Sequence, residues 1–319
     1  MNYFLLIAYG ILNMLFVLLI SPLFVSLIKI VKAHAQKRRG PPVLQTYRNL
    51  AKLLKKETIY SANSSWIMRV TPLVNVAALL VASLFVPILV IPQPTDIVGN
   101  IILFLYLLAL AKFFMALSGL DAGSPFGGMG SSREMAISAL IEPVVIVVFA
   151  ALAFAFKTVN LPDMFRGALA SNVLIDPVLI LISISLFIVI IVESARVPVD
   201  NPETHLELTM IHEGMLLEYS GTSLALLTFS EQVKQLLLLC LLAQIIWPSG
   251  LISASVGFVG LLLALGFAFL KVAVLGFFFA TVESLFVKRR LFLLPHYLAT
   301  SAATAILALV AFWFIRGQI

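Results

Sequence analysis

Between Glu193 and Gly221 the chain reads ESARVPVDNPETHLELTMIHEGMLLEYSG, with six carboxylates and two histidines between segments apolar enough to cross a membrane. Carboxylates and imidazoles are the side chains whose proton affinity is moved most readily through the working pH range by burial and neighbouring charge. Glu193, Asp200, Glu203, Glu207, Glu213 and Glu218 supply the acids, and His205 and His212 the imidazoles. Such a cluster suits charge handling or the grip on a partner.

Asp200 or Asn201 can cap a helix whose first residue is Pro202, with Glu203 and Glu207 four positions apart on one face. His205 and His212 are seven residues apart, two helical turns. His212-Glu213-Gly214-Met215-Leu216 lacks the second histidine of a zinc-protease motif, so proton handling or hydrogen bonding to a partner is favoured over a metal site. The single cysteine, Cys240, lies in an apolar run and offers neither a disulfide nor an iron–sulfur or zinc site. No Ser-His-Asp arrangement is evident. The stretch Gly123 to Arg133 is glycine-rich but lacks the Gly-Lys-Ser/Thr ending of a phosphate loop. Ser131 and Glu134 have capping-box spacing, which predicts that a helix starts there, with the glycines forming a loop that another chain can approach closely.

Other ionisable residues fall inside the apolar runs. Counted from that start, Glu142 lies about 15 Å into its helix and is followed by Pro143. This depth predicts a mid-bilayer carboxylate that must be protonated, paired or next to water. Glu231 and Lys234 are three residues apart on one helix face and could form a structural ion pair. Lys271 and Lys112 enlarge the buried ionisable set, which points to a polar route rather than one isolated pair.

These residues must be positioned by membrane helices. With 61% hydrophobic and 11% charged residues over 319 positions, no soluble domain could cover its surface with polar groups. Runs long enough to span appear near 3–30, 70–91, 98–118, 132–157, 177–194, 222–247, 251–284 and 295–315. They predict one all-α integral membrane domain over 1–319, a polytopic bundle of about eight transmembrane helices. The fifth run is short, and the seventh is long enough to tilt or project. Lys29 and Lys32 follow the first run, which is too long for a signal sequence and so predicts a retained helix.

Basic residues crowd after the first helix (Lys37, Arg38, Arg39, Arg48, Lys52, Lys55, Lys56) and after the seventh (Lys288, Arg289, Arg290). By the positive-inside rule these loops are cytoplasmic, and an even span count places both termini outside. The formal net charge of +6 thus reflects topology and makes no case for nucleic-acid binding. Leu44, Tyr47, Leu50, Ala51 and Leu54 recur at helical spacing opposite Arg48, Lys52, Lys55 and Lys56, describing an interfacial amphipathic helix. That helix could flank a membrane-level opening, dock a soluble partner, or simply anchor to lipid headgroups. No internal repeat is visible, which weakens a carrier built from two related halves.

Arg38-Arg39-Gly40-Pro41, the Gly123 to Glu134 stretch, Glu142-Pro143 and above all Glu193 to Gly221 resemble the complex I subunit 1 family over nearly the whole chain. That family includes the eight-helix membrane anchor of respiratory complex I and the corresponding subunit of membrane-bound group 4 nickel–iron hydrogenases. Gly-Ser-Pro-Phe-Gly-Gly-Met-Gly-Ser-Ser-Arg-Glu and Asp-Asn-Pro-Glu-Thr-His-Leu-Glu-Leu-Thr-Met-Ile-His-Glu are similar to the ferredoxin-linked and hydrogenase-4-like branch, while departing in detail from the formate hydrogenlyase subunit 4 pattern. Quinone-reducing relatives typically have an Ala-Pro-Phe-Asp type sequence where this chain has Arg196-Val197-Pro198-Val199-Asp200.

The resemblance implies a subunit that bridges a soluble electron-transfer arm to antiporter-like membrane subunits in the cytoplasmic membrane. It implies no cofactor in this chain, with the nickel–iron centre and iron–sulfur clusters in hydrogenase-like large and small subunits and a ferredoxin-like subunit. Positions equivalent to Glu142, Glu193, Glu203, Glu207, Glu213 and Glu218 would line a route from the docking surface into the bundle. Asp200, Glu231, Lys234 and Lys271 would extend the relay, and Arg39, Arg133, Arg196, His205 and His212 would position loops or dock partners. The rival readings are a quinone-binding subunit of a complex I-like dehydrogenase, a purely structural anchor, and a stand-alone transporter, which the cytoplasmic polar surface and lack of repeats disfavour.

Overall fold

The structure, a computed structural model, describes residues 3–91, 99–170, 176–200, 210–249, 252–253, 258–288 and 293–316. Lipid offers no partners to backbone polar groups, so apolar segments of this length satisfy themselves as helices. The eight runs form α1 (Tyr3–Ala35), α3 (Trp66–Phe85), α4 (Ile101–Asp121), α5 (Pro125–Phe156), α7 (Pro177–Glu193), α9 (Gly221–Ile246), α10 (Phe258–Leu285) and α11 (Leu294–Arg316). Between them lie the short helices α2 (Gln45–Leu54), α6 (Leu161–Ala170) and α8 (His212–Leu216). The two-residue strands β1 (Val90–Ile91) and β2 (Ile252–Ser253) pair in parallel. Among the described residues, seven helices are long and apolar enough to cross a membrane, and α7 is a shorter apolar helix of 17 residues. The chain is a multi-pass membrane protein with an all-α bundle.

Local chemistry sets the helix ends. Ser65 caps α3, and the carboxylate of Asp121, at the end of α4, accepts from Ser65 N and Met68 N at 2.9 and 3.2 Å. Asn100 and Asp176 accept from Ile102 N and Val178 N to cap α4 and α7, and Pro177 takes the first position of α7.

Several helix boundaries differ from those predicted: the run expected to end at 30 continues to Ala35, and the one expected from 251 contains the strand β2 and is helical from Phe258. Two further differences bear on the site. The run expected to reach residue 91 stops at Phe85, and Val86 to Ile91 continue as buried non-helical backbone. Side chains from other helices make this possible: Asn13 of α1 accepts from Leu89 N at 3.1 Å, and Gln244 of α9 donates to Ile88 O at 2.9 Å. The helix expected to start at Ser131 starts instead at Pro125, capped by Ser124, whose hydroxyl accepts from Gly127 N at 3.0 Å. The glycines expected in a loop lie inside α5.

Their role is close packing within the chain itself. A Cβ on Gly127 would lie 2.6 Å from Gly119 O of α4, and one on Gly130 would lie 3.0 Å from Ile211 O, just before α8. Gly127→Ala is therefore expected to cost about 1–3 kcal/mol through overpacking against backbone. Gly128→Ala, with nothing within 4 Å of its added carbon, serves as the neutral control. Thermal melts of the purified variants check this, and equal midpoints would show that the α4–α5 contact relaxes freely.

α9 runs through the middle of the bundle, packed by α1, α3, α7 and α10, and its residues from Val233 to Ile245 are buried all round. α2 is the amphipathic helix read from the sequence. Thr46 and Ser26 of α1 share a 2.6 Å hydrogen bond, and Tyr47 donates to Leu19 O. The linker after α2 is tied to the start of α9 by Thr58–Thr222, Ile59–Ser220 and Tyr60–Ser223 hydrogen bonds. Gly221, at φ +54°, is required there because a Cβ would meet Glu57 O at 2.4 Å.

Candidate functional site

The acidic segment begins where α7 ends. Glu193 is its last residue, Ala195 adopts positive φ, and Val199 N returns to Arg196 O at 2.8 Å, turning the chain back towards the bundle. Asp200 is buried: its Oδ1 receives Lys288 Nζ at 2.7 Å, and its Oδ2 accepts from Ile211 N at 3.0 Å. It thereby ties the two ends of the segment 201–209 together. Glu203, His205 and Glu207, and the helix expected from Pro202, lie outside the described residues. Arg133 of α5 donates to Met210 O at 2.8 Å and so holds the backbone that leads into α8.

α8 then carries His212 into the bundle. Its Nε2 lies 3.4 Å from Glu231 Oε1, and Glu231 Oε2 lies 3.1 Å from Lys234 Nζ, so the predicted Glu231–Lys234 pair forms and gains a histidine. Glu134, Asn75 and Lys112 join these three around a cavity of about 10 Å3, the lower bound for a single water. Glu134 was read from the sequence only as a capping partner. The signal that could have exposed it is its spacing from Glu142, eight residues on and so near the same face of one long helix.

Lys112 has a second neighbour. Its Nζ donates to Glu193 Oε1 at 2.8 Å, and the two side chains are 12% and 9% exposed. Lys112, Glu193 and Glu142 also line a groove of about 1080 Å3 on the outer surface of the bundle, between α4, α5, α7 and α11. Apolar side chains such as Tyr106, Phe149 and Phe312 form most of its walls, and Lys157 stands at its far end. Glu142 is exposed in that groove, about 26 Å along α5 from Pro125 and about 21 Å from Phe156. The earlier helix start changes the count from the predicted 15 Å, yet the carboxylate still lies far from both ends. Lys112 is thus shared between the inner cavity and the outer groove.

Lys271 and Arg196 lie elsewhere. Lys271 of α10 is buried and donates to Gln244 Oε1 at 2.8 Å, which places it beside the non-helical backbone at Ile88. Gln244→Leu would strip a donor from Ile88 O and an acceptor from the lysine, an expected loss of about 1–3 kcal/mol. A lowered thermal midpoint of the assembled protein checks this. Arg196 donates to Gln235 Oε1 at 2.9 Å and approaches Glu283. Glu213 and Glu218 are partly exposed on and after α8, and Arg39 is exposed after α1. Tyr219 donates to Met68 O at 3.1 Å, and burial, opposed by hydrogen bonds to Ser118 and Thr71, pushes its phenol up to about 12.

Among the described residues, no group of three or more His, Cys, Asp and Glu side chains is arranged to hold a metal ion. What the residues can do together is hold and shift charge. His212, Glu231, Lys234 and Glu134 converge on one small polar space, where a change of protonation on one alters the field at the others.

An all-α membrane bundle that brings acids, lysines and a histidine together inside it, beside a lateral groove, defines a multi-pass membrane protein with ionisable groups held among its helices. Residues 8–314 match the NADH dehydrogenase family, and the chain belongs to it. It is similar to formate hydrogenlyase subunit 4 of Escherichia coli, 32% identical over 96% of this chain and 98% of the relative. It is also similar to hydrogenase-4 component C of the same organism, 31% identical over 97% and 96%. An NADH-quinone oxidoreductase subunit of Rickettsia typhi is 27% identical over 63% of this chain and 61% of its own. A chain of the membrane-bound sulfane sulfur reductase, an archaeal respiratory membrane complex, superposes with a TM-score of 0.78 at 18% identity, covering 95% of this chain and 99% of its own, and so shares the fold.

Proposed function

We propose that this protein is the membrane anchor and coupling subunit of an energy-converting, hydrogenase-type oxidoreductase related to complex I. Electron transfer in a soluble arm would be linked through it to proton or sodium translocation. The observation that carries this reading is the position of Lys112, common to the inner cavity of His212, Glu231 and Lys234 and to the outer groove of Glu142. Charge change in the loop after α7 reaches the cavity through α8, passes to the Lys112–Glu193 pair, and emerges laterally at Glu142. Neighbouring acids in a weakly polar setting have coupled titrations, so protonating one biases the next.

The partners expected are hydrogenase-like large and small subunits and a ferredoxin-like subunit on the face bearing α2 and α8, and antiporter-like membrane subunits along the groove. The nickel–iron centre and iron–sulfur clusters would belong to those neighbours. Basic residues around α2 orient that face to the cytoplasm, which puts both termini on the opposite side of the cell's cytoplasmic membrane.

Purifying the native complex in mild detergent tests the reading, with subunits identified by mass spectrometry and bound nickel and iron measured in the same sample. Stoichiometric nickel with a hydrogenase-like large subunit is expected. Iron without nickel, with quinone-dependent turnover, would overturn the hydrogenase assignment in favour of a quinone-reducing one.

A further inference from the structure

Glu283 sits in the last turn of α10 with its side chain 2% exposed, and it borders neither the cavity nor the groove described above. An acid there opposes the helix dipole, whose negative end lies at the C-terminus. Two cations face it from other elements: Lys32 Nζ of α1 at 3.7 Å from Oε2, and Arg196 Nη1 at 3.9 Å from Oε1. Both separations exceed the 2.7–2.9 Å or so of a charge-assisted hydrogen bond. Among the described residues neither carboxylate oxygen has a hydrogen-bond donor, and Gln235 Nε2, on the amide whose oxygen holds Arg196, has no acceptor.

A buried carboxylate without donors is costly, and direct contact with either cation would have relieved it. Charges held just beyond contact, around unpaired donors and acceptors, are the arrangement that bridging water completes. Close packing two turns away holds the frame in place: a Cβ on Gly276 would lie 2.7 Å from Phe24, so α1 and α10 approach tightly there.

We propose that Glu283, Lys32, Arg196 and Gln235 form a hydrated proton-accepting site at the ends of α1 and α10. A proton entering from solvent passes through the bridging water as hydronium to Glu283, forming the carboxyl O–H bond and leaving neutral water behind. Lys32 and Arg196 then face a neutral carboxyl, and Arg196 is released towards Gln235 and the loop it anchors. Return of the proton to water restores the ionised acid and draws Arg196 back. Glu283 thus connects the loop after α7, through Arg196, to α1, through Lys32. The consequence for coupling rests on the function proposed above; the protonation itself does not.

Infrared difference spectroscopy of the purified complex, oxidised against reduced, reads a carboxyl protonation change without requiring ion transport. One carboxyl feature is expected to disappear in Glu283→Gln, with the ratio of ions moved to electrons transferred falling several-fold. Lys32→Gln keeps the acid but removes one of the two cations that face it, so the redox-linked carboxyl feature should shrink or shift. This second variant also serves if Glu283→Gln does not assemble. Spectra of either variant identical to wild type would overturn the site. A wild-type complex that moves no ions yet shows the Glu283-dependent feature would overturn the coupling function and leave the protonation site standing.

Discussion

Lys112→Met is expected to destabilise the assembled protein by about 3 kcal/mol, the low end for a buried ion pair, because removing one member of this part-buried pair leaves the other uncompensated. Glu193 is 9% exposed, and its carboxylate accepts from Lys112 Nζ at 2.8 Å. The lysine also closes the cavity shared by Glu134, His212, Glu231 and Lys234, so its loss removes a positive charge from two acidic neighbourhoods at once. The double variant Lys112→Met/Glu193→Gln should recover much of the loss, since a neutral pair carries a smaller desolvation penalty than a lone carboxylate. Thermal melts followed through the helical circular dichroism signal measure both. A single variant that melts with wild type would show that the pair contributes nothing to the fold.

Glu142→Gln is expected to act the other way, sparing the fold and disabling coupling. The side chain is exposed in the groove, and the substitution keeps its shape, so the complex should assemble with normal electron transfer. Glutamine cannot take up and release a proton, and its loss should lower ion movement per electron about tenfold, equivalent to about 1.4 kcal/mol on the transfer step. The same outcome is expected for Glu207→Gln. Proteoliposomes loaded with a pH- or sodium-sensitive dye, with electron flow measured in parallel, give the ratio directly. Wild-type coupling in both variants would remove these acids from the relay.

The exposed position of Glu142 also bears on assembly. A carboxylate open to hydrocarbon is costly, so the groove suits a neighbouring membrane subunit that covers it and supplies a partner or a proton acceptor. The same logic separates Glu142 from Glu283: one acid meets the bundle's outer surface, and the other is enclosed between cations of its own chain.

Much of this was readable along the chain because membrane helices declare themselves locally. Twenty apolar residues in lipid have few alternatives to a helix, and the periodicity of Leu44 to Leu54 is enough to specify an interfacial one. The Glu231–Lys234 pair was readable for the same reason, being set by one turn of a single helix. Where tertiary contacts compete with local preference, the reading failed. Val86 to Ile91 are apolar enough to continue α3, but Asn13 and Gln244 satisfy their backbone from other helices and let the chain leave the helix. The glycines before Ser131 have loop composition, but they lie inside α5 because α4 and α8 must approach its backbone.

The sequence by itself determined the membrane bundle, the order of its apolar helices and the identity of the acids, since hydrophobic length and residue type are properties of short segments. Only the tertiary structure decided which charges meet. Lys112 and Glu193 are 81 residues apart, and Lys32 and Glu283 belong to the first long helix and the last but one. Such pairings follow from how eight helices pack, and packing depends on shape complementarity across the whole bundle, which no local periodicity records.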